Sequence, residues 1–378
     1  MKKALMMALL CSFLFTGCGS RQVEEELLVI VLAIDQTEQN DLTVAVKVPT
    51  NASAASDSTD HSQNGQAGYM LLEATGHTFS DAVSMLNATT PRRLNFSQVR
   101  EIIIGEAASK HSDFAALLRQ IYALPRFRCS AAVIICRKDA LSFAEEQKPY
   151  VGMRLSRYAE NTLANYAGKG FSPSTDLCAG VRDMGFGFQD PLFILGAVND
   201  FSDRQTADED NSLNQKAGSL PRKSIEAVEL FGAAATDGVS VSGYLTGYEM
   251  ALLHLIAGHV EALMIQIDGI PLHITSRTPA ALSVDVSKKP AVLGISLLCE
   301  AQYPPGRKPD EAVIQRMLQQ DILSVVHHLQ SMNCDGIGFG NVAVQKFLTV
   351  QSWEAFQWRK AYAQAQTTAE VWVQCREK

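Results

Sequence analysis

With 47% apolar and 19% charged side chains over 378 residues, the chain has an ordinary globular composition, and 25 Gly and 13 Pro exclude a disordered or collagen-like polymer. The length suits two domains, each able to bury a core. The formal charge is −7, from 33 basic and 40 acidic residues, and no basic block occurs, which argues against nucleic-acid binding through phosphates.

The first residues are the most informative. Lys2-Lys3 precede an apolar run, Ala4 to Phe15, and the small pair Thr16-Gly17 leads to Cys18. A positive start, a short apolar centre and a small-residue exit describe an export signal, too short to span a bilayer as a helix. A cysteine directly after Gly17 resembles a lipobox, in which residues 1–17 are removed and the Cys18 thiol carries the lipid. Phe15 stands where Leu is commonest. An ordinary cleaved signal with an incidental cysteine is the alternative. Two or more acyl chains such as palmitate anchor a protein stably where one does not. Later apolar runs are too short or too interrupted to span: Leu27 to Ile34 closes at Asp35, and His254, His259 and Glu261 break Met250 to Ile267. The body is expected in water, tethered at one end.

Strands are predicted at Glu26 to Ile34 and Leu42 to Val48, then a polar loop from Thr50 to Gly68, and strand character from Tyr69 to Ala74. Thr78, with Asp81 three residues on, opens a helix from Phe79 to Leu86. Val99 to Ile104 reads as a strand, Ala115 to Ala123 as a helix, and Ala131 to Cys136 as a buried strand. The texture from Lys138 to Ser202 is mostly helical. Asp203 to Lys223, poor in apolar residues, reads as a linker.

Beyond it, Glu226 to Ala235 and Val239 to Leu245 form a predicted hairpin around Asp237-Gly238. Thr246 and Glu249 make a capping box for a helix ending near Gly258. Two or three strands fit between His259 and Gln302. Asp310 caps the longest helix, on which Ile314, Leu318, Ile322, Val325, Leu329 and Met332 share one stripe. A helix near Ser352 to Ala363 leads into a closing strand in which Val371, Val373 and Cys375 alternate.

The expected class is α+β: a lipoprotein signal, then two or three domains of mostly antiparallel sheet with packed helices. The expected divisions are 1–17, a region 18–202 (strand-rich over 24–137, helical over 138–202), the linker 203–223, and a C-terminal domain 224–378 that folds alone.

No catalytic constellation stands out. Of the cysteines beyond Cys18, Cys129, Cys136, Cys178, Cys299, Cys334 and Cys375 form no Cys-x-x-Cys pair, and most suit buried free thiols. His327 and His328 diverge on a helix, and His254 and His259 miss the spacing of a metal pair. Gly336, Gly338 and Gly340 alternate as in a dinucleotide loop, but Asn341 stands where the third glycine belongs and a helix precedes. Helix exit and sharp turn is the preferred reading. The turn Gly336, Gly338, Phe339 and Gly340 is an exposed candidate for interaction. No metal, cofactor or catalytic residue is expected.

The chain resembles the Ger(x)C lipoprotein family, the C subunit of spore germinant receptors. The likeness is carried by Cys18, by Glu24 to Asp35, by Gly76-His77-Thr78-Phe79-Ser80-Asp81-Ala82 and by Ile102-Ile103-Ile104-Gly105-Glu106. In the second half it is carried by Ala233 to Glu249 with Gly243-Tyr244-Leu245-Thr246-Gly247-Tyr248-Glu249, by Leu329-Gln330 with Asp335 to Gly340, and by Trp353. Gly19-Ser20 departs from the family's Trp-Asp after the cysteine. The resemblance implies a non-enzymatic subunit working beside the integral-membrane A and B subunits. It would sit lipid-anchored on the outer face of the inner spore membrane and act in the response to nutrient germinants. Two other classes stand beside it. An extracytoplasmic solute-binding lipoprotein would show a deep interlobe cleft, and a tethered cell-wall hydrolase a carboxylate pair or metal set in a groove.

Overall fold

The computed structural model describes residues 25–50, 68–149, 153–167, 169–199, 213–222, 226–259, 263–267, 269–276 and 278–378. Cys18 and most of the polar loop after Thr50 lie outside these residues. The strands are Glu26–Leu28 (β1), Val31–Gln36 (β2), Leu42–Pro49 (β3), Tyr69–Gly76 (β4), Arg93–Asn95 (β5), Glu101–Ile104 (β6), Ala132–Cys136 (β7) and Leu192–Val198 (β8). They continue as Val228–Thr236 (β9), Val241–Leu245 (β10), Leu263–Ile267 (β11), Ile270–Thr275 (β12), Ala281–Asp285 (β13), Val292–Tyr303 (β14) and Gln366–Glu377 (β15). The α+β expectation holds.

One sheet of eight strands runs β10-β9-β8-β7-β6-β2-β3-β4. Its centre, β8-β7-β6-β2, is parallel, and both flanks are antiparallel. Central strands are covered on both faces, which is why Val31-Leu32-Ala33-Ile34 and Ile102-Ile103-Ile104 are apolar without alternation. Leu32, Ile34, Ile102 and Ile104 face the helices Phe79–Thr89, Phe114–Tyr122 and Leu177–Phe186. Val31, Ala33 and Ile103 face Ala140–Glu146 and Leu155–Ala167.

The second sheet is built on β14. β12 and β13 pair antiparallel with it, β11 extends the edge, and β15 lies parallel along its full length from Val292↔Gln366 to Tyr303↔Glu377. Leu293, Ile295, Leu297 and Cys299 of β14 lie in one core with Ala369, Val371 and Val373 of β15. The helix Glu311–Ser331 covers this core with the predicted stripe: Ile314, Leu318, Ile322 and Leu329 are fully buried. Asp310 caps it, accepting from Ala312 N at 2.9 Å. The capping box of Thr246 and Glu249 and the Thr78 cap form as expected.

Several expectations need correction. Leu192–Val198, in the stretch read as helical, is a strand in mid-sheet: a seven-residue apolar run carries no periodicity that separates buried strand from helix. The expected helix near Ser352 to Ala363 is two, Val350–Phe356 and Trp358–Gln364, separated by Gln357 in the left-handed region at φ 53°. Four strands, not two or three, begin between His259 and Gln302.

The expected linker is in part a strap. Residues 213–222 are held to the sheet: Ala217 N donates to Phe231 O, Gly247 N to Gln215 O, and Tyr248 N to Leu213 O. Glu229, 1% exposed on β9, accepts from Asn199 Nδ2, Gly218 N and Arg222 Nε at 2.7, 2.7 and 2.8 Å. β9 itself pairs with β8. A cut at residue 224 therefore runs through the eight-stranded sheet and orphans the β8 side of β9, so the 224–378 boundary does not separate two sheets.

Leu318→Ala should lower stability by about 2–5 kcal/mol, the usual cost of emptying a core leucine site. A fall in the urea midpoint of the full chain measures it.

Candidate functional site

The structure turns the Gly336–Gly340 segment inward. Asp335, 3% exposed, sits just past the long helix. Its Oδ1 accepts from the N–H groups of Gly338 and Phe339 at 2.9 Å each, and its Oδ2 from Gly340 N at 2.6 Å and Trp358 Nε1 at 3.2 Å. Gly338 adopts φ +91°, and a Cβ on Gly340 would collide with Phe188 O. The glycines thus let the backbone wrap a carboxylate. Phe339 is fully buried and Gly338 and Gly340 are buried too, so the expected exposed turn is a core clasp.

That clasp joins the two halves of the chain. Asp190, just before β8, accepts from Asp335 N at 2.8 Å and returns its own N–H to Asp335 O at 3.0 Å. Arg359 grips both Asp190 oxygens, Nη2 to Oδ1 at 2.6 Å and Nη1 to Oδ2 at 3.1 Å. Burial pushes Asp335 up to about 6 against its backbone donors, and raises Asp190 despite Arg359. Aromatic rings continue outward from the clasp: Tyr362, Trp358, Trp353 and Phe188 follow at centroid spacings of 5.8, 5.9 and 5.8 Å.

Other motif residues also hold structure. Asp35 accepts from Ala140 N and Leu141 N at 2.7 and 2.9 Å, capping Ala140–Glu146. Glu106 accepts from Tyr244 Oη at 3.0 Å, tying β10 to the turn after β6. Glu249 closes its capping box and meets His328 Nδ1 at 2.5 Å, tying Gly247–Ala257 to the long helix. The six cysteines are free. Cys136, Cys299 and Cys334 are buried as expected, whereas Cys129 and Cys178 are exposed and Cys375 is half-buried, because these three lie in a turn, in a first helical turn and near the chain end.

A buried pair was missed from sequence. Lys47, unexposed, donates from Nζ to Ala144 O and Gln147 O at 2.6 and 2.5 Å and stands 4.0 Å over the Tyr69 ring. Gln147 Nε2 donates to Glu101 Oε2 at 2.6 Å, and Glu101 Oε1 is buried without a hydrogen-bond partner among the described residues. Burial pulls Lys47 down to about 8 and pushes Glu101 up to about 7. In Leu42–Pro49, Val44, Val46 and Val48 share one buried face, and Lys47 lies on the other. Helix Ala140–Glu146 covers that face too.

One cavity, of about 290 Å³, opens at the carboxyl end of β2. Phe79, Phe114 and Leu117 form its apolar side, and Gln36, Asn40, Thr78, His77, His111 and Asp113 bring polar groups to it. His77 Nδ1 lies 2.6 Å from Asp41 Oδ1, which raises the imidazole above its usual range. The arrangement suits hydrogen bonding to a small polar molecule. Among the described residues, no group of three or more His, Cys, Asp or Glu is placed to hold a metal, and no helix is long and apolar enough to cross a membrane.

The titration sense of Glu101 is testable. Its folded pKa lies above the ordinary 4.5, so the native state binds the proton more tightly and gains stability as pH falls from about 7 towards 4.5. Asp335 acts in the same sense. Urea midpoints should rise between about pH 7.5 and pH 5, and Glu101→Gln should flatten that rise.

Comparison with known proteins adds the following. A family model described as spore germination protein N-terminal domain matches residues 19–193, and one described as spore germination B3/GerAC like, C-terminal, matches residues 232–378. A solved structure, the crystal structure of the GerBC protein, is similar at 13% identity and a TM-score of 0.49, covering 91% of this chain and 96% of that one. No curated protein matches the chain.

Proposed function

This chain belongs to the GerAC-like family of spore germination proteins, and from that membership we propose that it is the non-catalytic C subunit of a nutrient germinant receptor. In this reading, acyl chains on Cys18 hold it at the outer face of the inner spore membrane, beside integral-membrane A and B subunits. The observation that carries the reading is the pair of family matches, which take in residues 19–193 and 232–378 in order. The first match begins one residue past Cys18, where the mature chain would start.

The geometry supports a binding and scaffolding role. The buried carboxylates Asp190, Glu229 and Asp335 and the half-buried Asp35, Glu106 and Glu249 are engaged in caps, straps and the clasp. A solute-binding lipoprotein calls for a cleft between lobes. Here the clasp occupies the seam between the halves, and the cavity lies within the first half.

Two measurements test the proposal. Cys18→Ala should abolish acylation and detergent partitioning, read by intact-protein mass and phase separation. Acyl chains persisting on the Cys18→Ala protein would overturn the anchor. Deleting the protein should abolish release of spore-core solutes in response to its own nutrient while other stimuli still work. An intact nutrient response, with no related receptor able to substitute, would overturn the receptor assignment.

A further inference from the structure

We propose that the body rests on an anionic phospholipid surface through an arginine patch, Arg92, Arg93, Arg126 and Arg128, at the amino ends of the central strands. The proposal rests on the acylation of Cys18 and adds an orientation to it.

The patch is assembled by tertiary contacts. β1 pairs in parallel with β5, which sets Glu26 opposite Arg93 at the start of the described chain. The turn after helix Phe114–Tyr122 packs beside it: the Phe127 ring stacks on Phe96 at 5.9 Å, and Arg128 N donates to Phe96 O at 3.4 Å. Arg92, Arg93 and Arg126 are exposed and Arg128 is half-buried. Exposed Met85 and Tyr122 lie on the two helices that lead into these turns.

The four arginines differ from others in the chain. Arg100, Arg157, Arg182, Arg222, Arg359 and Arg376 each pair with a carboxylate. Among the described residues none of the four does so, and Arg128 Nε donates instead to Ser130 Oγ at 3.0 Å. Among the described residues two acids lie at β1's end of this surface, Glu25, which is exposed, and Glu26, which accepts from Asn95 Nδ2, and Glu24 precedes them in the sequence. The local balance stays positive on a protein whose net charge is −7.

The tether selects the occupant. Seven residue steps separate Cys18 from Glu25, and a fully extended chain of that length reaches about 25 Å at most. An acylated Cys18 therefore keeps β1 and the adjoining arginines close to the bilayer, where anionic headgroups attract basic side chains over roughly a Debye length. Exposed Met85 and Tyr122, on the helices that lead into the arginine turns, suit the boundary between headgroups and acyl chains. β2 then runs away from the membrane and ends at Gln36, on the cavity wall. The cavity faces the side from which a soluble molecule arrives.

The test uses the full mature chain with Cys18→Ser, so that binding reports the surface and not the acyl chains. Vesicles of phosphatidylcholine with roughly one-third phosphatidylglycerol should pull the protein down in sedimentation, pure phosphatidylcholine vesicles should not, and added salt should release it. Replacing all four arginines with serine should weaken binding by about tenfold or more at an unchanged melting temperature. Should that variant fail to fold, Arg92→Ser/Arg93→Ser should still weaken it several-fold. Equal binding to both vesicle types, or binding unaffected in a folded variant, overturns the patch. The mass of Cys18 in the wild-type protein is read separately and decides only the acylation.

Discussion

The antiparallel pairing of β8 with β9 is the contact on which the rest of the molecule depends. Without it the eight-stranded sheet would split, β9 and β10 parting from the other six strands; with it, the register from Leu192↔Ala235 to Val198↔Val228 joins strands of both family-matched regions in one sheet. β9 is buried along its whole length, and its residues divide among three cores: Phe231 and Ala234 face the first, Val228 and Leu230 the core under Ala140–Glu146, and Ala233 and Ala235 the core under the long helix. The clasp of Asp190 with Asp335 and Arg359 closes the seam just ahead of β8. A body locked at two places along one strand transmits an orientation set at one end to the whole.

The buried polar groups follow from that architecture. Parallel strands end in turns that must re-enter helices across the sheet edge, and each re-entry exposes backbone N–H groups. Asp35 satisfies those of Ala140 and Leu141 after β7, and past the long helix Asp335 does the same for Gly338, Phe339 and Gly340. Removing one such carboxylate would leave several buried donors unpaired, a larger loss than the net gain of any single hydrogen bond. The motif residues that mark the family in sequence are thus largely explained by backbone satisfaction.

Charge is distributed to match. Acidic residues outnumber basic ones over the whole, while Arg92, Arg93, Arg126 and Arg128, without a carboxylate partner among the described residues, lie in the turns beside β1. Residues 92 and 93 stand more than thirty positions from 126 and 128. Their meeting is a consequence of β1 pairing with β5 and of two stacked phenylalanines.

The sequence by itself determined most strands and helices, the caps at Thr78, Thr246 and Asp310, and the stripe from Ile314 to Met332. These are local: a cap acts within three residues, and a stripe follows the helical period. The tertiary structure alone decided the parallel centre of the sheet, the strand identity of Leu192–Val198, the inward turn of Gly336–Gly340, the burial of Lys47 and the arginine patch. Each depends on which distant segment covers a given face. Covering is a property of packing, and neither composition nor period encodes which helix will arrive.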